Sequence, residues 1–295
     1  MRVFVTGATG FIGSAIVREL IDAGHRVLGL ARGDAGAKSL HAAGAEVHRG
    51  DLEDLESLRS GAATADAVIH TAFIHDFSRF KEVCETDRRA IEALGDVLAG
   101  SDRPLIVSSG IGTLAPGRVA TEDMEALPNP AMPRVSEQTG LALIARGVRV
   151  SVVRLPQVHD TVKQGLITYA VQLAREKGVS AYVGDGLNRW PAAHRLDVAH
   201  LYRLALEKRE AGSRYHAGAE EGVSMRKIAE AIGRGLKVPV ASLSPEEAPA
   251  HFGWLAMFAG FDMPASSAQT QERLEWRPTG PTLLTDLGNM RYSQP

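Results

Sequence analysis

A single cysteine, Cys84, stands in the 295-residue chain, which excludes an intramolecular disulfide and any multi-cysteine metal cluster. Aromatic residues are sparse at 5%, and 33 lysines and arginines nearly balance 35 aspartates and glutamates, for a net charge of −2. With no basic block to neutralise phosphates, nucleic acid is not an expected partner. No apolar run approaches the roughly 20 residues that cross a bilayer, and the N-terminus lacks the basic start and apolar core of a secretory leader. The expectation is a cytoplasmic protein without a membrane partner. Tyrosine is absent before Tyr169, and the only lysines in the first 168 residues are Lys38, Lys81 and Lys163.

What is present is ordinary for a globule: 44% hydrophobic and 23% charged residues, in enough chain for one large or two modest domains. Apolar patterning predicts strands over 3–7, 25–31, 45–50, 66–73, 104–110 and 148–156. Helical spacing occupies 11–24, 35–44, 52–61, a long stretch within 76–99, and 133–147. Strands alternating with helices, with no tight hairpin signal between them, imply right-handed crossovers and an α/β fold of the doubly wound, Rossmann type. Helical segments at 164–178, within 180–208 after a Gly/Trp/Pro loop, and at 224–236, with frequent prolines between 239 and 281, predict a smaller, mainly helical C-terminal lobe. The expected division is a dinucleotide-binding domain over 1–158, to which 190–215 returns, and a substrate lobe over 159–295.

The opening TGATGFIG places Gly7, Gly10 and Gly13 between a strand and a helix, so that bare backbone and a helix N-terminus face a pyrophosphate. A tight strand-to-helix turn is the competing explanation. With Asp51 in RGDLED, DAVIHTA at 66–72, VSSG at 107–110, RLPQVH at 154–159 and HRLDVAHL at 194–201, the chain resembles the extended short-chain dehydrogenase/reductase superfamily in its epimerase/dehydratase-like branch. The likeness runs to about residue 208. It implies that the three glycines, with Thr9, Phe11 and Ile12 among them, hold the pyrophosphate, and that Asp51, followed by Leu52, meets the adenine edge. It implies further that His70, Thr71 and Ala72 line the cofactor together with Ser108 and Pro156, and that the turn at 107–110 supplies a catalytic Ser109.

At the end of the second strand, LARGD puts Ala31 where an NAD-selective member holds a carboxylate, and Arg32 follows. An arginine fork suits a 2′-phosphate, so NADP(H) is expected over NAD(H), with Lys38 assisting from the next helix. Asp34 is the competing ribose ligand.

Redox-active members of the superfamily use a Tyr-x-x-x-Lys pair, and here PRVSE places Pro133 and Glu137 at those positions. Proline has no proton to give. Ser109 can still hydrogen-bond a carbonyl, Glu137 can accept from ribose hydroxyls, and His159 or His194 titrates in the useful range. The blander expectation is that His159 packs a loop and that His194 joins a helix entry capped by Asp197. Trp190, Tyr169 and Tyr182 either line a substrate pocket or form the core of the lobe. Restoring tyrosine at 133 with lysine at 137 is expected to raise turnover.

Three functions follow: an atypical NADP(H)-dependent oxidoreductase on a small carbonyl or alcohol, a non-redox sensor of NADP(H), or an isomerase or lyase using the cofactor transiently. A small-molecule substrate is the expected partner, no metal is expected, and a homodimer through 76–99 and 133–147 is expected from Leu141, Leu143 and Ile144 beside small residues.

Overall fold

A computed structural model describes residues 1–112, 114–126 and 133–292. The first half alternates strand and helix: β1 (Arg2–Thr6), α1 (Phe11–Asp22), β2 (Arg26–Ala31), α2 (Asp34–Ala42), β3 (Glu46–Arg49), α3 (Leu55–Ala63), β4 (Ala67–His70), α4 (Phe80–Leu98), β5 (Pro104–Gly110), α5 (Ser136–Ala142) and β6 (Arg149–Leu155). The chain continues through β7 (Gln157–His159), α6 (Ile167–Lys177), β8 (Ser180–Val183), β9 (Arg189–His194), α7 (Arg195–Lys208), β10 (Arg214–His216), β11 (Glu220–Ser224), α8 (Met225–Leu236), β12 (Val240–Leu243), α9 (Ala248–Phe252), α10 (Ala256–Ala259), α11 (Ala268–Leu274) and α12 (Leu283–Asn289).

Seven parallel strands form the central sheet in the order β10, β6, β5, β4, β1, β2, β3, a doubly wound Rossmann arrangement. Near-continuous apolar strands such as Val3–Val5 and Leu105–Val107 are buried because helices cover both faces. On one face Ile16 and Leu20 of α1 join Leu201, Tyr202 and Leu206 of α7. On the other, Phe4 and Leu28 meet Leu58 of α3 and Ile91 and Leu94 of α4.

Several boundaries differ from the expectations. The strand expected over 66–73 ends at His70, because Thr71 and Ala72 bend away beside Gly7. The long helix begins at Phe80, after a 3₁₀ turn over Phe77–Arg79 capped by Asp76. The helix expected over 133–147 is α-helical only over Ser136–Ala142 and tightens to 3₁₀ over Leu143–Arg146 before Gly147 ends it at φ +76°. The strand at 148–156 is not the last of the sheet: β10 pairs with β6 at its edge, Arg214 opposite Val152.

The C-terminal lobe is mainly helical and also carries short strands. Strands β7, β9 and β11 make one small sheet, and β8 and β12 make a parallel pair. These strands span three to six residues, too short for alternation to stand out, and Pro191 interrupts β9. Trp190 is fully buried in the lobe core, with Tyr169 and Tyr182 packed against it. At the entry to α7 the N-cap is His194, whose Nδ1 accepts from Leu196 N at 3.4 Å, while the Asp197 carboxylate accepts from Thr279 N and Gly280 N at 3.0 and 2.9 Å. Among the described residues, no helix is long and apolar enough to cross a membrane.

Candidate active site

The loop after β1 is built on missing side chains. Gly7 sits at φ +69°, and a Cβ there would lie 2.7 Å from Ala72 N. At Gly13 a Cβ would lie 2.0 Å from the Gly7 carbonyl oxygen, so only glycine lets α1 start this close to β1. Gly10 caps α1 without a side-chain bond and donates its own N–H to Gly7 O at 2.8 Å. The first-turn amides of Phe11, Ile12 and Gly13 have no intrahelical acceptor, and they open beside exposed Thr9 and Gly10. Such a bare, positively polarised cradle fits the pyrophosphate of a dinucleotide.

Two further loops leave the ends of β2 and β3, the strands on one side of β1 in the sheet. Asp51 Oδ1 accepts from Glu53 N at 2.8 Å and Asp54 N at 3.1 Å, a turn that aims the chain into α3, and Leu52 is buried beneath it. Beyond β2, Ala31 is buried and Arg32 is exposed. Asp34, the competing ribose ligand, is paired with Arg49 at 2.6 Å. Lys38 lines an exposed groove with His41 and Arg49.

At the ends of β4 and β5 the side chains correct two expectations. His70 does not turn its ring to the cofactor cleft. It is buried on the α4 side, with Nδ1 2.9 Å from Thr6 Oγ1 and Nε2 3.1 Å from Asp87 Oδ1. Asp87 Oδ2 accepts from Ser136 Oγ at 2.5 Å, and Ser136 Oγ accepts from Arg134 Nε at 2.8 Å. Burial raises the Asp87 carboxyl, but His70, Arg134 and Ser136 outweigh it and hold the group below its usual range. Ser108 also turns inward: its Oγ lies 2.7 Å from the His70 carbonyl oxygen and 2.6 Å from the hydroxyl of buried Tyr202 on α7. Thr71 donates to Thr6 O at 2.7 Å, and Ala72 N lies against Gly7. Ser109 is half-buried at the strand end, with no hydrogen-bond partner among the described residues.

Pro133 is half-buried, but Glu137 is sealed in the protein. Its oxygens accept from Arg154 Nε at 2.7 Å and Nη2 at 2.6 Å, and Oε1 also accepts from Arg214 Nε at 2.9 Å. With its lone pairs committed to two guanidinium groups, Glu137 does not take ribose hydroxyls, which corrects that expectation. Arg154 further binds His216 Nε2 at 3.0 Å and Met124 O at 2.6 Å, tying the β5–α5 loop to the sheet.

His159 follows half-buried Pro156 and is fully buried between the sheet and the lobe. Its Nδ1 lies 2.7 Å from Asp286 Oδ2 of α12, its Nε2 is 3.9 Å from Glu220 Oε2, and burial pushes the imidazole below its ordinary range. His194 packs edge-on to it at 5.9 Å between ring centroids. Among the described residues, no cluster of histidine and carboxylate ligands suits a metal.

Two further arginines stand at the mouth. Arg134 lies over the Phe73 ring at 4.1 Å and donates from Nη2 to Ser108 O at 3.2 Å. Arg195, at the start of α7, reaches Asp160 at 3.1 Å and lies 5.1 Å from the Phe11 ring centre. The only sequence signal for Arg134 is that it neighbours the vacancy at Pro133.

A model of the NAD dependent epimerase/dehydratase family matches residues 3–86. An uncharacterized protein of Schizosaccharomyces pombe is 51% identical over 295 residues, 99% of this chain and 100% of its own, and one of Saccharomyces cerevisiae is 44% identical over 97% of this chain and 98% of its own. A decarboxylating sterol-4-alpha-carboxylate 3-dehydrogenase of Dictyostelium discoideum is 28% identical over 77% of this chain and 74% of its own. Among solved structures, a dTDP-glucose 4,6-dehydratase of Streptomyces venezuelae with NAD bound superposes with a TM-score of 0.76 at 21% identity, covering 99% of this chain and 96% of that one. A Thermus thermophilus UDP-glucose 4-epimerase in complex with NAD gives 0.74 at 20% identity, covering 98% and 97%. The parallel sheet, the glycine cradle after its first strand and relatives alike along nearly the whole chain lead to one conclusion: the chain belongs to the NAD-dependent epimerase/dehydratase family.

Proposed function

We propose that the protein is an NADP(H)-dependent oxidoreductase acting on a small carbonyl or alcohol. The observation that carries this reading is the Gly7–Gly13 cradle beside an exposed Arg32, with Asp34 drawn off by Arg49. When bound, the nicotinamide supplies or accepts a hydride. First-turn amides of α1 would hold the pyrophosphate, Arg32 would take the 2′-phosphate, and the Asp51 carboxylate would meet the adenine edge. Ser109, whose hydroxyl has no partner among the described residues, hydrogen-bonds the substrate oxygen, and water supplies the proton. Relatives named as a sterol-4-alpha-carboxylate 3-dehydrogenase and a 2-alkyl-3-oxoalkanoate reductase support oxidoreduction, alongside UDP-glucose 4-epimerases of similar identity. The test is calorimetric titration with NADPH and NADH, followed by nicotinamide absorbance across a carbonyl and alcohol panel. Equal affinities sink the cofactor preference.

One observation favours a second reading, binding without turnover as a sensor. The position that would carry the catalytic lysine is a carboxylate sealed against Arg154. Tight NADPH binding with no absorbance change on any substrate would establish it. For assembly we propose a homodimer through the segments 76–99 and 133–147, where Ile144 of the 3₁₀ turn is exposed while Leu143 lies in the core. Light scattering at micromolar concentration tests the mass.

A further inference from the structure

Three loops meet at the mouth above the ends of β4 and β5, and all bring positive charge or an imidazole. The β4–α4 loop carries Phe73 and His75, with their rings 5.4 Å apart. The β5–α5 loop carries Arg134, and the β7–α6 loop carries exposed Lys163. Acidic residues of the same loops are committed elsewhere. Asp76 binds Ser78, Glu122 binds Thr270, Asp123 binds Thr121, and Glu125 pairs with Arg214 at 3.5 Å. Asp160 binds Arg195 and the amides of Val162 and Lys163, while Asp87 on α4 is spent on His70 and Ser136.

Arg134 is unusually well held for an arginine at an opening. Its Nε is fixed on Ser136 Oγ, one Nη2 hydrogen on Ser108 O, and its plane rests on Phe73. Nη1 has no partner among the described residues. Behind it, the chain Ser136–Asp87–His70–Thr6 is buried and hydrogen-bonded throughout, so the guanidinium is set in one orientation before anything binds. A pre-set guanidinium edge is the shape that a carboxylate or phosphate recognises.

We infer that Arg134 anchors an anionic group of the substrate, a carboxylate or phosphate, next to the reacting carbon, with Lys163 closing over it from the lobe. The inference rests on the oxidoreductase reading above. Ser136 and Asp87 are positioning residues that act through Arg134. The electrostatics agree: His75 is pushed below the usual imidazole range by desolvation first, then by Arg134 and, more weakly, by Lys163, against a raising bond to the Phe73 carbonyl. An anion arriving between these charges should push His75 back up.

The experiment is an NMR titration of the His75 ring in the full-length protein, with acetoacetate as the acid probe and acetoacetamide as its neutral twin. Inorganic phosphate is a second anionic probe. Acetoacetate or phosphate is expected to bind and raise the His75 midpoint, and acetoacetamide to do neither. Arg134→Gln should weaken anion binding by about tenfold or more, and Arg134→Lys should recover part of it. Equal response to the acid and the amide in the wild-type protein overturns the inference without any variant. So does an unchanged anion response in an Arg134→Gln protein whose melting temperature is preserved. Saturating NADP+ should leave the response in place, and competition by NADP+ would assign the anion site to the cofactor and overturn the proposal. NADPH titrated into the same samples separates the two readings: anion binding without cofactor binding defeats the oxidoreductase, and cofactor binding without anion discrimination defeats Arg134.

Discussion

Both side-chain oxygens of Glu137 are taken by Arg154, from Nε at 2.7 Å and Nη2 at 2.6 Å, in a pair closed off from solvent. Removing Glu137 leaves Arg154 charged and without a carboxylate in the interior. Glu137→Ala should therefore cost about 3–5 kcal/mol in urea denaturation. The same geometry reverses the expectation for a restored Tyr/Lys pair. Lysine at 137 would set a third cation against Arg154 and Arg214, so Pro133→Tyr with Glu137→Lys should be less stable than Glu137→Ala, and any gain in turnover would refute this account.

Cofactor choice is read at Arg32. Replacing it with alanine should weaken NADPH by about 1.5–3 kcal/mol, the scale of a charge-assisted contact, and leave NADH nearly unchanged. Calorimetry with both cofactors decides. A parallel loss for both would mean that Arg32 supports the loop and not the phosphate.

The cradle makes a sharper demand. Gly13→Ala adds a Cβ that would lie 2.0 Å from the Gly7 carbonyl oxygen, so α1 must move off β1. We expect a loss of about 1–3 kcal/mol of stability from overpacking and no measurable dinucleotide binding. Native-like NADPH affinity in this variant would show that the pyrophosphate lies elsewhere.

Burial holds His159 and His216 below the ordinary imidazole range, foremost through desolvation. The unfolded chain thus binds protons at about pH 6.5 that the native state does not, and stability is complete above that pH and lost as pH falls below it. His159→Gln should flatten this slope between about pH 6.5 and 5. The pH profile of turnover should stay as in the wild type, because the ring is sealed behind Asp286. A shifted profile would return His159 to the chemistry.

The alternation of elements and the glycine cradle were legible because both are local: a strand, a bare turn and an amphipathic helix lie within 24 residues. Strand ends were harder. Whether His70 and Ser108 face the cleft or a covering helix depends on a register of one residue, which no pattern in DAVIHTA or VSSG specifies. The partners of Glu137 lie 17 and 77 residues away, so its role is a product of the fold. Arg134 was visible only as a neighbour of the vacancy at Pro133, since its anchors, Ser108 and Phe73, come from other strands' ends.

The late return of α7 and β10 to the sheet sets a condition on biosynthesis. Glu19 of α1 meets Arg203 across 184 residues of sequence, and the apolar face of α1 is closed by Leu201 and Tyr202. As the chain leaves the ribosome, most of the sheet is made while that face and the edge of β6 are still bare. The nascent first half is therefore a holding problem for chaperones until more than two hundred residues have emerged. A fragment stopping at Val158 should be sticky rather than a working nucleotide binder.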